Sequence, residues 1–361
     1  MLTTAHHLVQ RLRRPARRRT VLLSLSGVLV GLAGIVTPML VPAASAVTAH
    51  SSHAISYQLG WITNTEFAGT YLAESQGYDA ANGLKVTILP GGSDPVEPVI
   101  ASGKALIGDS NADTVAAAVA AGAQLRIIGA RYQINPFCII SSAKDPIKNP
   151  QGLIGKTVGV NTYNLTAWNV FLALNHLKAN QVKTVDEGYS LGPTPLINGQ
   201  VQAWMGFSTN EPGVLTLAGF KNYSFLMSNF GYHVYADVYE TSVSDIATHR
   251  SELVAFMKSE LEGWKYDISA PAAGTHLTVV RYESKLGFSS KQQSLENKAQ
   301  LKLIVTPYTT AHGLFSMSPA DIAANIATLK FAQSTGVATY YTNPDLFDGS
   351  ILKQAESELG S

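Results

Sequence analysis

From Ile55 onward, short apolar and β-branched runs alternate with segments whose apolar residues recur every three or four positions, and Gly and Pro punctuate the alternation. Ile55 to Leu59 predicts a first strand, and Thr65 to Gln76 an amphipathic helix ended by Gly77. Leu84 to Leu89 predicts a second strand, stopped by Pro90-Gly91-Gly92. Pro95 to Ser102 suits a short helix, Ala105 to Gly108 a short strand and Ala112 to Ala121 an alanine-rich helix, with Leu125 to Tyr132 a fourth strand.

A second set begins at Phe137 to Ser142 and continues with a strand at Thr157 to Val160 and a helix at Leu165 to Lys178. Pro193 to Asn198 and Glu211 to Ala218 read as helices around a strand at Ala203 to Phe207. Tyr232 to Ser242 has the alternation of a long strand. Beyond Ser244 helical patterns dominate, at Ser251 to Ala270, Ser290 to Leu303 and Pro319 to Phe331. The pattern is that of an α/β protein with mostly parallel sheets, arranged as two lobes with the second inserted in the first. We place residues 55–133 and 239–361 in one lobe and 134–238 in the other, with a cleft between them.

The 361 residues are 46% hydrophobic and 14% charged, enough for a sizeable core and too apolar for disorder. The net charge of +1 misleads. Residues 1–46 hold six arginines and no acidic residue, which leaves 20 basic against 25 acidic side chains beyond them. A mildly acidic body excludes nucleic acid as a partner. The amino-terminal segment itself reads as a signal peptide: a basic start, an apolar run from Val21 to Leu40, and Ala44-Ser45-Ala46 as the cleavage pattern, with a short linker over 47–54. Arg18-Arg19-Thr20-Val21-Leu22 fits a twin-arginine signal as well as an ordinary secretory one; an uncleaved anchor is the remaining alternative. The one cysteine, Cys138, lies in an apolar run, and none stands at the cleavage site to carry a lipid. The protein is expected outside the cytoplasm, not as a lipoprotein.

In open α/β sheets ligands sit at the carboxyl ends of strands, which singles out the loops there. The first carries Trp61, Asn64 and Glu66. Trp61 either packs on the sheet edge or stacks on a flat ligand, and Asn64 suits a helix cap as well as a ligand contact. Asp113 lies in the first turn of the helix after the third strand, where the helix dipole alone would explain it. The inserted lobe offers Asn161 and Trp168, then Asn210 and Glu211. The crossing segments add Tyr132 and Asp237.

No nucleophile elbow, zinc-protease helix, Walker loop or dinucleotide fingerprint is present. The histidines lack metal-ligand spacing, so neither cofactor nor metal is expected. Glu66 and Asp113 are the one acid/base pair to weigh, and no nucleophile accompanies them. The loops are built to hold a molecule, and an enzyme is not expected.

Several stretches resemble the solute-binding proteins of ABC importers, in the branch that includes nitrate, sulfonate and taurine binders and the fungal thiamine-pyrimidine synthases. They are Gly60-Trp-Ile-Thr-Asn-Thr-Glu-Phe-Ala-Gly69, Glu74-Ser-Gln-Gly-Tyr78, Asn82-Gly-Leu-Lys-Val86, Ala101-Ser-Gly-Lys104, Pro150 to Gly159 and Asn198-Gly-Gln-Val201. The resemblance implies a periplasmic-binding-protein type II fold, monomeric, that closes on a small molecule and delivers it to a permease and its ATPase. It further implies a planar nitrogen heterocycle, such as a thiamine-pyrimidine precursor, nucleobase or flavin, with Trp61 and Asn64 at the ring and Asp113, Asn161 and Glu211 in comparable loops. The synthases carry a histidine where this chain has Phe67 and a cysteine-rich run where it has Tyr232 to Tyr239, so their chemistry is not expected here. An anion-binding protein of the same family is the alternative, since helix N-termini could hold an anion. Only Arg126, Arg131, Arg250 and Arg281 lie beyond the leader, with Arg131 alone near a crossing. Aromatic-rich, arginine-poor loops fit a neutral, largely uncharged planar ligand better than a site that uses fixed positive charge.

Overall fold

The computed structural model describes residues 52–360 apart from 93, 191 and 284–286. The expected signal peptide and most of the expected linker lie outside these residues. The first strand already begins at His53, inside the span assigned to the linker.

Ten strands form two five-stranded sheets. The first sheet holds β1 (His53–Gln58), β2 (Leu84–Leu89), β3 (Ile107–Ser110) and β4 (Leu125–Tyr132), closed by β10 (Ala236–Ser242), in the order β2-β1-β3-β10-β4. The second holds β5 (Phe137–Ser142), β6 (Thr157–Val160), β7 (Lys183–Asp186), β8 (Ala203–Phe207) and β9 (Asn222–Leu226), in the order β7-β6-β8-β5-β9. The sheets are mixed and not mostly parallel as expected from the pattern, since half of the strand pairings are antiparallel. β10 runs antiparallel to both β3 and β4, and β5 antiparallel to both β8 and β9. These are the strands by which the chain enters the second sheet and returns to the first. The strand pattern read over Tyr232 to Ser242 becomes strand only from Ala236, because 232–235 form the return crossing.

The helices are α1 (Ala68–Ser75), α2 (Tyr78–Ala81), α3 (Glu97–Ala101), α4 (Ala112–Ala120), α5 (Leu165–Leu174), α6 (Thr194–Ile197) and α7 (Glu211–Leu217). They are followed by α8 (Val243–Thr248), α9 (Arg250–Ser269), α10 (Pro271–Leu277), α11 (Ser290–Ile304), α12 (Pro307–His312), α13 (Pro319–Ser334) and α14 (Ser350–Leu359). The helix expected through Lys178 stops at Leu174, and His176 then takes a left-handed backbone (φ 56°). β7 and β9 have no apolar alternation to announce them: β7 is the edge strand Lys-Thr-Val-Asp, mostly exposed.

Both faces of the sheets are covered. In β5, Phe137 and Ile139 join one core while Cys138 and Ile140 join another with Trp204 and Leu215, the period of two expected of a strand buried on both sides. The larger core runs from α4 across both sheets to Trp168 and Phe171 of α5 and Ile326 and Leu329 of α13. On the outer face of the first sheet, Tyr57 and Tyr239 pack against Phe256 of α9, in one core with Trp264 of α9 and Tyr71 of α1. These two helices approach closely because Gly69 and Gly263 face each other: a Cβ on Gly263 would stand 2.2 Å from the Gly69 carbonyl oxygen. No helix among the described residues is long and apolar enough to cross a membrane.

Candidate functional site

Loops at the carboxyl ends of β1, β3, β6 and β8, together with α11 and residues 337–340, enclose a cavity of about 640 Å³. Eight of the ten residues singled out in the sequence line it: Trp61, Asn64, Glu66, Asp113, Asn161, Asn210, Glu211 and Asp237. The other two do not. Tyr132 is buried and donates to Gln300 Oε1 (2.7 Å), and Trp168 is buried with its indole N–H on Thr184 Oγ1 (2.8 Å). Both aromatic rings serve the core, where a large apolar surface is worth most.

The floor of the cavity is a charged network. Asn64 caps the 3₁₀ turn Thr65–Phe67 through Oδ1, which accepts from Glu66 N (3.1 Å), while its Nδ2 donates to Glu296 Oε1 (2.8 Å). Its cap role and its cavity position therefore coincide. Carboxylate oxygens of Glu66, Asp109 and Asp237 lie within 4.8 Å of one another. Arg131 stands behind them, fully buried, donating to Asp237 Oδ2 (2.7 Å) and lying 3.1 Å from Asp109 Oδ2. Its guanidinium is held over the Phe67 ring (4.9 Å to the centroid) and the Trp264 ring (5.3 Å). Asp237 adopts a left-handed backbone (φ 49°) within the returning strand, a conformation that Asp tolerates better than most residues.

One guanidinium cannot balance this many buried carboxyls. Burial, reinforced by Asp237, pushes the Glu66 carboxyl well above the usual range. Burial also raises Asp109 and Asp237, with Arg131 opposing the shift in each. Glu296 is pushed up to about 8 by burial and by Glu211. Removing water from several like charges favours the protonated form of some of them.

From the second sheet, Asn161 presents a buried amide oxygen with no partner among the described residues. Glu211 Oε2 accepts from Phe207 N (2.8 Å), and burial raises its carboxyl to about 7 against that hydrogen bond. The Glu211 carboxyl lies close over Gly206, where a Cβ would stand 2.6 Å from its carboxyl carbon and displace it. Asn210 Oδ1 accepts from Gln292 Nε2 of α11 (3.3 Å). At another part of the wall, Asp113 Oδ2 accepts from Tyr232 O–H (2.9 Å), and burial raises it. Glu97 Oε1 accepts from Ser110 Oγ (2.6 Å).

Asp94 adds an eighth carboxyl to Glu66, Glu97, Asp109, Asp113, Glu211, Asp237 and Glu296, and no Lys, Arg or His is found among the described lining residues. Glu296 and Gln293 were not apparent from the sequence. The available signal was the polar series Gln293, Glu296, Asn297 and Gln300, spaced along one helix face; all four are buried, whereas such a stripe ordinarily faces water. Asp109 directly follows the third strand as read from the sequence, a position that could have singled it out beside Asp113.

A family profile described as NMT1/THI5 like matches residues 64–273, more than half of the chain. The chain belongs to the NMT1/THI5-like family. Among solved structures, this NMT1/THI5-like protein is similar to the periplasmic aliphatic sulphonate binding protein SsuA from Escherichia coli, with a TM-score of 0.62, 14% identity, and 82% of this chain and 93% of that one covered. It is similar to the ligand binding component of an ABC-type import system from Staphylococcus aureus, with a TM-score of 0.62, 10% identity and coverage of 84% and 99%. It is also similar to the desulfurization enzyme DSZB, with a TM-score of 0.55, 13% identity and coverage of 85% and 99%. At these identities the likeness is one of fold, the two-lobed periplasmic-binding architecture read from the sequence. No curated protein sequence matches the chain.

Proposed function

We propose that this protein is the extracytoplasmic solute-binding component of an ABC importer, a monomer that takes up a small planar nitrogen heterocycle and passes it unchanged to a membrane permease and its ATPase. Family membership and the fold support the transport role. The observation that carries the ligand class is the cavity wall: aromatic edges at Trp61 and Tyr163, many carboxyl and amide oxygens, and no cationic side chain among the described lining residues. Ring N–H groups and exocyclic amines find acceptors there. A sulfonate, the class named for the Escherichia coli structure, or a nitrate would face carboxyls without a compensating cation among the described lining residues. Asn64, Glu66, Asp113, Asn161, Asn210, Glu211 and Asp237 are the polar contacts in this reading, with Trp61 as the stacking surface.

A binder is favoured over a pyrimidine-modifying enzyme because the lone cysteine, Cys138, is buried in β5 within the outer core of the second sheet, and no histidine is found among the described lining residues.

A thermal-shift screen of pyrimidines, nucleobases, flavins, alkanesulfonates and nitrate tests the reading. A heterocycle present at 100 times its dissociation constant is expected to stabilise the fold by ~2.7 kcal/mol, and mass spectrometry should return it unchanged. Stabilisation by an alkanesulfonate or nitrate alone would overturn the ligand class, and turnover would overturn the binder.

A further inference from the structure

We propose that the cavity selects a planar cation, an amidinium or a ring-protonated amino-heterocycle, whose N–H groups point at the carboxyls of Glu66, Asp237 and Glu296. The inference rests on the heterocycle reading above and adds the charge state of the ligand.

Three independent observations support it. The first is the imbalance of charge at the floor. Arg131 is committed to Asp109 and Asp237, at 3.1 Å and 2.7 Å, and is fully buried behind them. Among the described residues no Lys, Arg or His forms an ion pair with Glu66 or Glu296, and Arg131 opposes the upward shift of Glu66 without pairing with it, although both carboxyls are almost wholly buried, at 7% and 3% exposure. A carboxylate in such a place is costly unless an opposite charge reaches it.

The second is an acceptor that the second sheet brings to the cavity. Asn161 is 7% exposed, and its amide oxygen lines the cavity without a partner among the described residues. An unpaired buried acceptor costs free energy that a ligand N–H recovers. A ligand bridging Glu66 and Asn161 must therefore donate on two edges, as amidinium and aminopyridinium ions do.

The third is the way the nearby amides are used. The Asn64 and Gln293 N–H donors both point at Glu296, at 2.8 Å and 3.1 Å, so they are occupied by the carboxyl and not turned toward the solute. Between them, the floor and the Asn161 wall present acceptors to whatever enters. A planar base arriving as its cation supplies both a positive charge and N–H groups for these acceptors.

Matched pairs of probes test the proposal on the mature protein by calorimetry at neutral pH. Benzamidine is a planar cation and benzamide its neutral counterpart; 4-aminopyridine is a cation there and 4-aminopyrimidine is neutral. Each cation is expected to bind roughly tenfold or more tightly than its partner, the scale of a charge-assisted hydrogen bond. Glu66→Gln and, separately, Glu296→Gln are expected to narrow that ratio, since each keeps shape and removes a carboxyl that can give up its proton to pair with the cation. Equal or tighter binding of the neutral partners, a ratio that survives in both variants, or no binding by either cation would overturn the proposal. If neutral heterocycles bind and the cations do not, the charge assignment fails and the heterocycle reading stands. Binding of alkanesulfonates alone overturns both.

Discussion

Trp61, on the loop leaving β1, meets Tyr163, in the turn after β6, edge to face with ring centroids 5.4 Å apart. The two loops leave strands of different sheets, so the contact joins them at the margin of the cavity. Tyr163 in turn touches Tyr189, with centroids 4.6 Å apart. The aromatic edge of the site thus depends on the juxtaposition of the two sheets.

Trp61→Ala is expected to weaken binding of the heterocycle that gives the largest thermal shift by about 1–3 kcal/mol, the scale of a lost stacked ring. Isothermal calorimetry on wild type and variant measures this. Unchanged affinity would remove Trp61 from the ligand's surroundings.

Arg131→Met removes the buried cation and leaves Asp109 and Asp237 without it. Stranding a buried charge pair in this way costs about 3–5 kcal/mol. Urea unfolding should show the loss as a lower midpoint with little change in slope. A loss well under ~1 kcal/mol would mean that both carboxyls are already neutral.

Glu296 gives the unliganded protein a defined pH response. Its carboxyl is raised from 4.5 to about 8, first by burial and then by Glu211. Between these values the folded state holds more protons than the unfolded chain, so this group's contribution to stability falls as pH rises through the window. Glu296→Gln should flatten the corresponding part of the stability profile measured by chemical denaturation. A steeper decline in the variant than in wild type would contradict the assignment.

Gly263→Ala tests the packing beneath the first sheet. Its new methyl would stand 2.2 Å from the Gly69 carbonyl oxygen, a backbone atom that cannot swing aside. Overpacking of this kind costs about 1–3 kcal/mol. A lower melting temperature with unchanged stoichiometry of ligand binding is the expected pair of results.

The strand and helix patterns were legible wherever a segment buried one face or two. Leu125–Tyr132 was read to the residue, and the long helices from Arg250 onward shifted by a few positions at most. Segments with little apolar patterning escaped notice, as with β7 and β9. The loops facing the cavity were legible because Trp, Asn and acidic residues cluster at strand ends. Trp168 shows the boundary of that reasoning: its position near the start of a helix resembles a site, while its ring fills the core and its N–H is taken by Thr184.

Local pattern alone determined the α/β class, the two strand–helix sets and the loops where a ligand belongs, because side-chain periodicity follows from backbone geometry. Which polar residues share a cavity is a different matter. Glu296 comes to Asn64 across 232 positions, and Gln293 to Thr65 across 228. On its own helix the Gln293–Gln300 stripe is indistinguishable from a solvated face. Only the packing of α11 against the turn after β1 removes water from it, and that loss of water turns ordinary polar residues into the floor of a binding site.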